Sequence, residues 1–248
     1  MNKQHFTIIV PAYNCSEWAS RNITSIITQN YDEKDYDIVY INDCSTDNTA
    51  ELVEKKLELF TGDCSLVNNK TNLKALRNLY DQIHAAKEGT VIVTVDGDDW
   101  LSDINVLNYL NEIYTKQDAW ITAGSYISLS DYRVNSPIVD NEYFDSNIRL
   151  KPWTISHLRT FKKSLFERIK KEDLLDTDGE FYKATFDRAM MYPMVEMSGP
   201  EHFHAIRKIL YIYNDANPLN VHKVLRRDQL RIEAQICGKT PYERLTSL

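Results

Sequence analysis

Thr90-Val91-Ile92-Val93-Thr94-Val95-Asp96-Gly97-Asp98-Asp99-Trp100 is the stretch from which the rest of the chain can be read. Its first six residues are apolar or β-branched, the composition of a parallel strand buried on both faces. The run then ends in three carboxylates within four residues. Carboxylates this close repel one another, and at the end of a buried strand they are costly unless a cation neutralises them. Hard oxygen ligands at a strand end suit Mg²⁺ or Mn²⁺, above all beside a diphosphate. An acidic turn is the alternative reading, because Asp and Gly are ordinary turn residues.

Working outward, three more short β-branched runs precede this one: Phe6 to Val10, Asp37 to Ile41 and Ser65 to Asn68. Stretches of helical period lie between them. Ala50, Val53, Leu57 and Phe60 form one apolar stripe, and Leu73, Leu76, Tyr80 and Ile83 form another. The alternation predicts an α/β fold with a mostly parallel central sheet flanked by helices. In such sheets ligands gather beyond the carboxyl ends of the strands. Val10-Pro11-Ala12-Tyr13-Asn14, Ile41-Asn42-Asp43-Cys44-Ser45-Thr46-Asp47 and the Asp96 cluster should therefore converge on one crevice.

Composition narrows the function classes. The chain has 248 residues, 43% of them hydrophobic, which is ample for a core. Its net charge of −7 argues against a nucleic-acid partner, whose phosphates demand concentrated positive charge. No apolar run reaches the roughly 20 residues of a membrane span, and Met1 to His5 lacks a signal-peptide layout. A cytoplasmic location is expected, with four reduced cysteines that lack C-x-x-C spacing. Past Gly124 the alternation weakens, and 128–152 reads as loops with short strands. From His222 to Ile236 an amphipathic helix is expected, with Val224, Leu225, Ile232 and Ile236 on its apolar side. That side would pack on the domain, on a homodimer partner or peripherally on a membrane surface.

The three strand-end segments, in this order, resemble the inverting family 2 glycosyltransferases of the GT-A fold. Members read V-P-x-Y-N, then N/D-D-x-S-x-D-x-T, then D-x-D-D. The resemblance is firm from residue 6 to about residue 125 and looser to about residue 220. It implies a Rossmann-like GT-A domain over 1–220, with a nucleotide-binding half (1–125), an acceptor and catalytic half (126–220), and a C-terminal helix and tail (221–248). The implied activity is metal-dependent transfer of a sugar from a nucleotide diphosphate donor, expected to be UDP-linked, to a hydroxyl of a glycan or other acceptor. By the same resemblance Pro11, Ala12 and Tyr13 form the nucleotide pocket, and Asp43 accepts from a base N–H. Asp96 contacts ribose or metal, Asp98 ligates the metal directly, and Asp99 orients the site. Taken singly, Tyr13 also suits a half-buried core ring and Asp43 a helix cap.

Family members often carry N-x-G-x-x-x-A-R-N before the fourth strand. Asn72-Leu73-Lys74-Ala75-Leu76-Arg77-Asn78 is shorter and lacks the glycine. Arg77 then reaches the nucleotide or diphosphate, or is a solvated helix arginine. Inverting transfer also needs a base for the attacking hydroxyl. The family's Glu-Asp pair is absent here, and Asp187, leading the apolar run Ala189-Met190-Met191, is the chosen base, with Glu180 in reserve. Pro193 is expected to bend or end that helix. Asp99, Trp100, Trp153 and His157 are candidates for acceptor or donor contacts, as is Glu196. Two other functions stay open: a binding module for sugar nucleotides or glycans that has lost turnover, and a sugar nucleotidyltransferase. The latter ordinarily has a glycine-rich loop after its first strand, where this chain has Pro11-Ala12-Tyr13.

Overall fold

The sheet is built outward from β1 (Phe6–Ala12), which pairs in parallel with β2 (Tyr36–Asn42) on one side and, across the sheet, with a strand from the Thr90 run on the other. The computed structural model describes residues 3–137, 139, 141–218 and 226–248. Helices α1 (Ser16–Ile27), α2 (Thr49–Leu57) and α3 (Ala75–Ala85) connect β1, β2, β3 (Cys64–Asn68) and β4 (Val91–Thr94), all four parallel. Alternate residues of the strands serve opposite faces. Ile9, Ile41 and Ile92 pack against Leu76, Leu79 and Ile83 of α3, while Ile8, Val10, Tyr40 and Val93 pack with Ala19 and Ile23 of α1 and Val53 of α2. The register sets Pro11 opposite Ile41 and Ala12 opposite Asn42, so the β1 and β2 ends are level and their loops meet.

The second half completes the sheet with strands of both directions. Following β4 come β5 (Trp100–Leu101), α4 (Val106–Lys116), β6 (Ile121–Ser128), β7 (Val134–Asn135), β8 (Arg159–Lys162) and the short α5 (Lys163–Phe166). Then come α6 (Phe186–His202), β9 (Phe203–Tyr213) and α7 (Arg226–Cys237). Across the sheet the order is β3-β2-β1-β4-β8-β6-β9-β5, with β7 on β6. One pairing matters most for the site. Because β8 runs antiparallel to β4, its first residue, Arg159, lies opposite Thr94 at the carboxyl end of β4. Gly124 of β6 allows this neighbourhood to close, since a Cβ there would lie 2.8 Å from the Leu158 nitrogen.

One expectation is corrected. Pro193 neither ends nor breaks α6, which continues to a kink at Gly199 (φ 58°, ψ −175°) followed by Pro200. Only glycine adopts that conformation readily. For α7, packing on the domain is the reading that the described residues support: Ile232 and Ile236 are buried in the same core as α6. His222, Val224 and Leu225 lie outside the described residues. Tyr242, Leu245 and Leu248 pack on that core too. Among the described residues no helix is long and apolar enough to cross a membrane.

Candidate active site

The acidic motif is a loop pressed onto the end of β1. The Gly97 N–H donates to the Pro11 carbonyl at 3.1 Å. A Cβ at position 97 would lie 2.4 Å from the Ala12 Cβ, so the approach requires glycine. Asn22 of α1 ties the loop from beneath, donating to the carbonyls of Asp96 (3.0 Å) and Asp99 (2.7 Å). The end of β9 ties it from the side. The Tyr211 hydroxyl accepts from the Asp96 N–H (3.0 Å) and donates to Asp99 Oδ2 (2.7 Å), while the Asn214 N–H donates to Asp99 Oδ1 (2.7 Å). Asn217 donates through Nδ2 to Asp98 Oδ2 at 2.6 Å.

A buried arginine lies between this motif and α6. The Arg159 side chain is 2% exposed; its Nη2 donates to Asp96 Oδ2 at 3.2 Å, and its Nη1 lies 3.9 Å from Asp187 Oδ2. The Phe186 ring packs under its guanidinium at 5.6 Å. The first turn of α6 thus sets Asp187 against the same guanidinium as Asp96 of the acidic motif. Burial raises the Asp96 carboxyl above its ordinary range, with Arg159 opposing and the Asp187 charge adding to the effect. Burial pushes Asp98 up to about 6. Asp99 is driven well above its ordinary value by burial and then by its two acidic neighbours. All three are thus short of positive charge.

His157 supplies a further observation. Its imidazole is stacked on Tyr211 (4.6 Å, 7°) and Tyr213 (5.4 Å, 19°), with Tyr126 edge-on at 5.6 Å. Burial, reinforced by the Arg159 charge, holds its pKa well below the usual value, so the ring is neutral. Nδ1 is buried without a hydrogen-bond partner, 3.9 Å from Asp96 Oδ2. One ligand atom each of Asp96, Asp99 and His157 lie within 4.8 Å of one another. A neutral imidazole with an unpartnered ring nitrogen beside crowded carboxylates fits a divalent cation.

The strand-end loops meet as their residue types require. Asn14, left-handed at φ 52°, donates its N–H to Ser45 Oγ and accepts the Thr46 N–H on its side chain. Asp47 accepts from the Ser16 and Thr49 N–H groups, joining the starts of α1 and α2. Beside them Tyr13 is 42% exposed, with Lys74 Nζ 6.0 Å from its ring, while Pro11 and Ala12 form the strand end beneath the Gly97 loop.

Several expected site residues have other partners. Asp43 is 3% exposed, and its oxygens accept from Asn69 Nδ2, the Leu73 N–H and the Lys74 N–H, so it braces the loop into α3. Arg77 pairs with Asp81 one turn on and lies over Phe181. Trp100 is buried in β5 under the Arg21 guanidinium (4.4 Å), so its ring offers no face to a sugar. Asp99 is 1% exposed and turned inward, a foot for the loop rather than an acceptor contact. Glu196 is buried in an ion pair with Arg149. Trp153 is half-buried, edge-on to Tyr192 and beneath Arg188. Glu180 is exposed on a turn closed by Asp176. Sequence reasoning missed Asn22, Arg159, Tyr211, Asn214 and Asn217, whose partners lie 63 to 119 residues away in the chain.

Residues 7–179 match the family described as glycosyl transferase family 2. A stretch covering 50% of the chain is 31% identical to the glycosyltransferase GlyA of Streptococcus pneumoniae, of which it spans 17%. Another, 66% of the chain, is 27% identical to the poly(ribitol-phosphate) beta-glucosyltransferase of Bacillus spizizenii and spans 26% of it. The chain therefore covers about a quarter or less of the length of these two relatives. Among solved structures, TarS of S. aureus in complex with UDP-GlcNAc superposes with a TM-score of 0.62 at 16% identity, over 86% of this chain and 59% of that one. The mannosyltransferase PcManGT from Pyrobaculum calidifontis, in complex with GDP-Man and Mn²⁺, gives 0.65 at 18% identity, over 97% and 67%. The shared fold is GT-A, and with the family match running over most of its residues the chain belongs to glycosyl transferase family 2.

Proposed function

We propose that this chain transfers a sugar from a nucleotide diphosphate donor, UDP-linked, to a hydroxyl of a glycan or other acceptor, with inversion and with Mn²⁺ or Mg²⁺. The observation that carries this reading is that Asp96 and Asp187 lie against one buried guanidinium, so that a carboxylate of the acidic motif and a helix-start carboxylate are neighbours. Asp98 and Asp96 would hold the cation through oxygen, with His157 beside Asp96 as a further donor. When bound, the cation neutralises charge on the leaving diphosphate. Pro11, Ala12 and the exposed face of Tyr13 receive the nucleotide. UDP-GlcNAc and GDP-Man occupy the two structural neighbours named above, so the choice of UDP rests on the likeness of the strand-end motifs.

Asp187 accepts the proton of the attacking hydroxyl. The acceptor oxygen then forms its bond to the anomeric carbon as the carbon–oxygen bond to the diphosphate breaks on the opposite face, and the diphosphate departs with the electron pair. Attack opposite the leaving group inverts the configuration. Glu180, on an exposed turn, is the less suited of the two candidate bases.

Calorimetry with UDP, GDP and a thymidine diphosphate, in Mn²⁺ and in chelator, followed by a screen of nucleotide sugars for metal-dependent release of nucleotide, tests the reading. Tightest binding of UDP, dependent on metal, with turnover is expected. Affinity indifferent to chelator removes the metal. Binding without turnover of any donor selects the non-catalytic binding module, which the missing Glu-Asp pair favours.

A further inference from the structure

The three carboxylates of the metal motif are held by three different kinds of partner. Asp99 is committed inward through both oxygens, to the Tyr211 hydroxyl and the Asn214 N–H. Asp96 shares one oxygen with the Arg159 guanidinium, whose positive charge offsets part of its own. Asp98 is met by a neutral group, the Asn217 side-chain amide, at 2.6 Å on Oδ2. Asn217 is itself buried, at 4% exposure, and lies four residues past the end of β9.

The difference in charge has a consequence for a cation. An ammonium or guanidinium on Asp98 would hold the side chain but compete with the metal for its charge. An amide N–H orients the carboxylate without cancelling it, as second-sphere donors to metal-ligating carboxylates do. Left alone, Asp98 would swing away from Asp96 and Asp99 to relieve their repulsion. We propose that Asn217 is a positioning residue: by pinning Oδ2 it presents Asp98 to the metal through Oδ1, with its full negative charge. This inference rests on the reading that Asp98 is a metal ligand.

Titrating the full chain with Mn²⁺ alone, following free Mn²⁺ by electron paramagnetic resonance, tests it with no knowledge of the sugar or acceptor. Wild type is expected to bind, Asp98→Asn to lose binding, and Asn217→Ala to bind about tenfold more weakly, the scale of one hydrogen bond to a charged group. Asn217→Gln, which keeps the amide, should recover part of that loss. UDP affinity in chelator should not change in any Asn217 variant, which separates positioning of the metal ligand from general loosening of the site. If Asn217→Ala does not fold, Asn217→Ser is measured in its place. Wild-type Mn²⁺ affinity in a folded Asn217 variant lacking the amide overturns the proposal. No Mn²⁺ binding by wild type, or undiminished binding by Asp98→Asn, instead overturns the assignment of Asp98 and takes the proposal with it.

Discussion

At the scale of single residues, the site reads as four carboxylates, Asp96, Asp98, Asp99 and Asp187, around one buried guanidinium and one neutral imidazole. Asp187 and Glu180 make opposed predictions. Asp187 is 3.9 Å from Arg159 and so shares that guanidinium with Asp96 of the acidic motif, whereas Glu180 is exposed on its turn. With a donor identified, Asp187→Asn should lower transfer by about 10² or more, the usual scale for loss of a general base, and leave UDP affinity in Mn²⁺ nearly unchanged. Glu180→Gln should have little effect on either. Steady-state rates with saturating donor decide between them, and the reverse pattern passes the base to Glu180. A second expectation follows from the carboxylates' shortage of positive charge. Mn²⁺ should raise the melting temperature of the wild type, since a ligand held by the folded state alone stabilises it, and Asp98→Asn should abolish most of that rise. Motif residues at strand ends were legible in the sequence because their types and order carry the chemistry. Arg159 and Asn217 were not: an arginine in WTISHLR and an asparagine in NDANP look like any others until the fold brings them 63 and 119 residues back along the chain.

At the scale of elements, the same division appears. The parallel β-α units were readable because the central strands β1 and β4 are buried on both faces and each helix on one, so burial writes itself as short β-branched runs and apolar stripes. The antiparallel entry of β8 between β4 and β6 was not readable, because four residues, Arg-Thr-Phe-Lys, carry too little period to announce a strand. Yet this pairing places Arg159 beside the end of β4. Where two elements must touch, the contact is sharp enough to predict. The Gly97 loop sits against Ala12 at the end of β1 with no room for a methyl group. Gly97→Ala must therefore push the acidic loop away from β1. The expected cost is about 1–3 kcal/mol of overpacking, or a fall in melting temperature of roughly 2–12 °C for a chain of this size. Mn²⁺ affinity should fall with it, because the same shift displaces Asp96 and Asp98. A melting curve in chelator and a Mn²⁺ titration read the two effects separately, and an unchanged Mn²⁺ affinity would show that the loop's seat on β1 does not set the ligands.

At the scale of the whole molecule, the second half is held together by a buried polar knot some way from the carboxylates. Arg149 pairs with Glu196 through both nitrogens of its fork, Nε to Oε1 at 2.6 Å and Nη2 to Oε2 at 2.8 Å. Its remaining Nη1 donates to the Ile236 carbonyl at the end of α7, and Glu196 Oε2 also accepts the Tyr242 N–H from the tail. One ion pair thus joins the loop before β8, the middle of α6, the end of α7 and the C-terminal tail, and it accounts for Glu196, whose expected place was beside a sugar. Breaking a buried pair from one side leaves a bare charge, so Glu196→Ala should destabilise by about 3–5 kcal/mol, with a fall in melting temperature on the order of 10 °C. Replacing both partners by apolar residues of similar size, Arg149→Met with Glu196→Leu, removes the bare charge and should recover part of the loss. Recovery should stop short of wild type, because in the double variant the Tyr242 N–H has lost Glu196 and the Ile236 carbonyl has lost Arg149, keeping only the Lys239 N–H. Thermal melts of the single and double variants measure the two steps. Mn²⁺ affinity at a temperature where the variants remain folded should stay at the wild-type value, since none of the groups holding Asp96, Asp98 or His157 belongs to the knot. If the double variant melts no higher than Glu196→Ala, the unpaired backbone groups, and not the bare charge, dominate what the pair contributes.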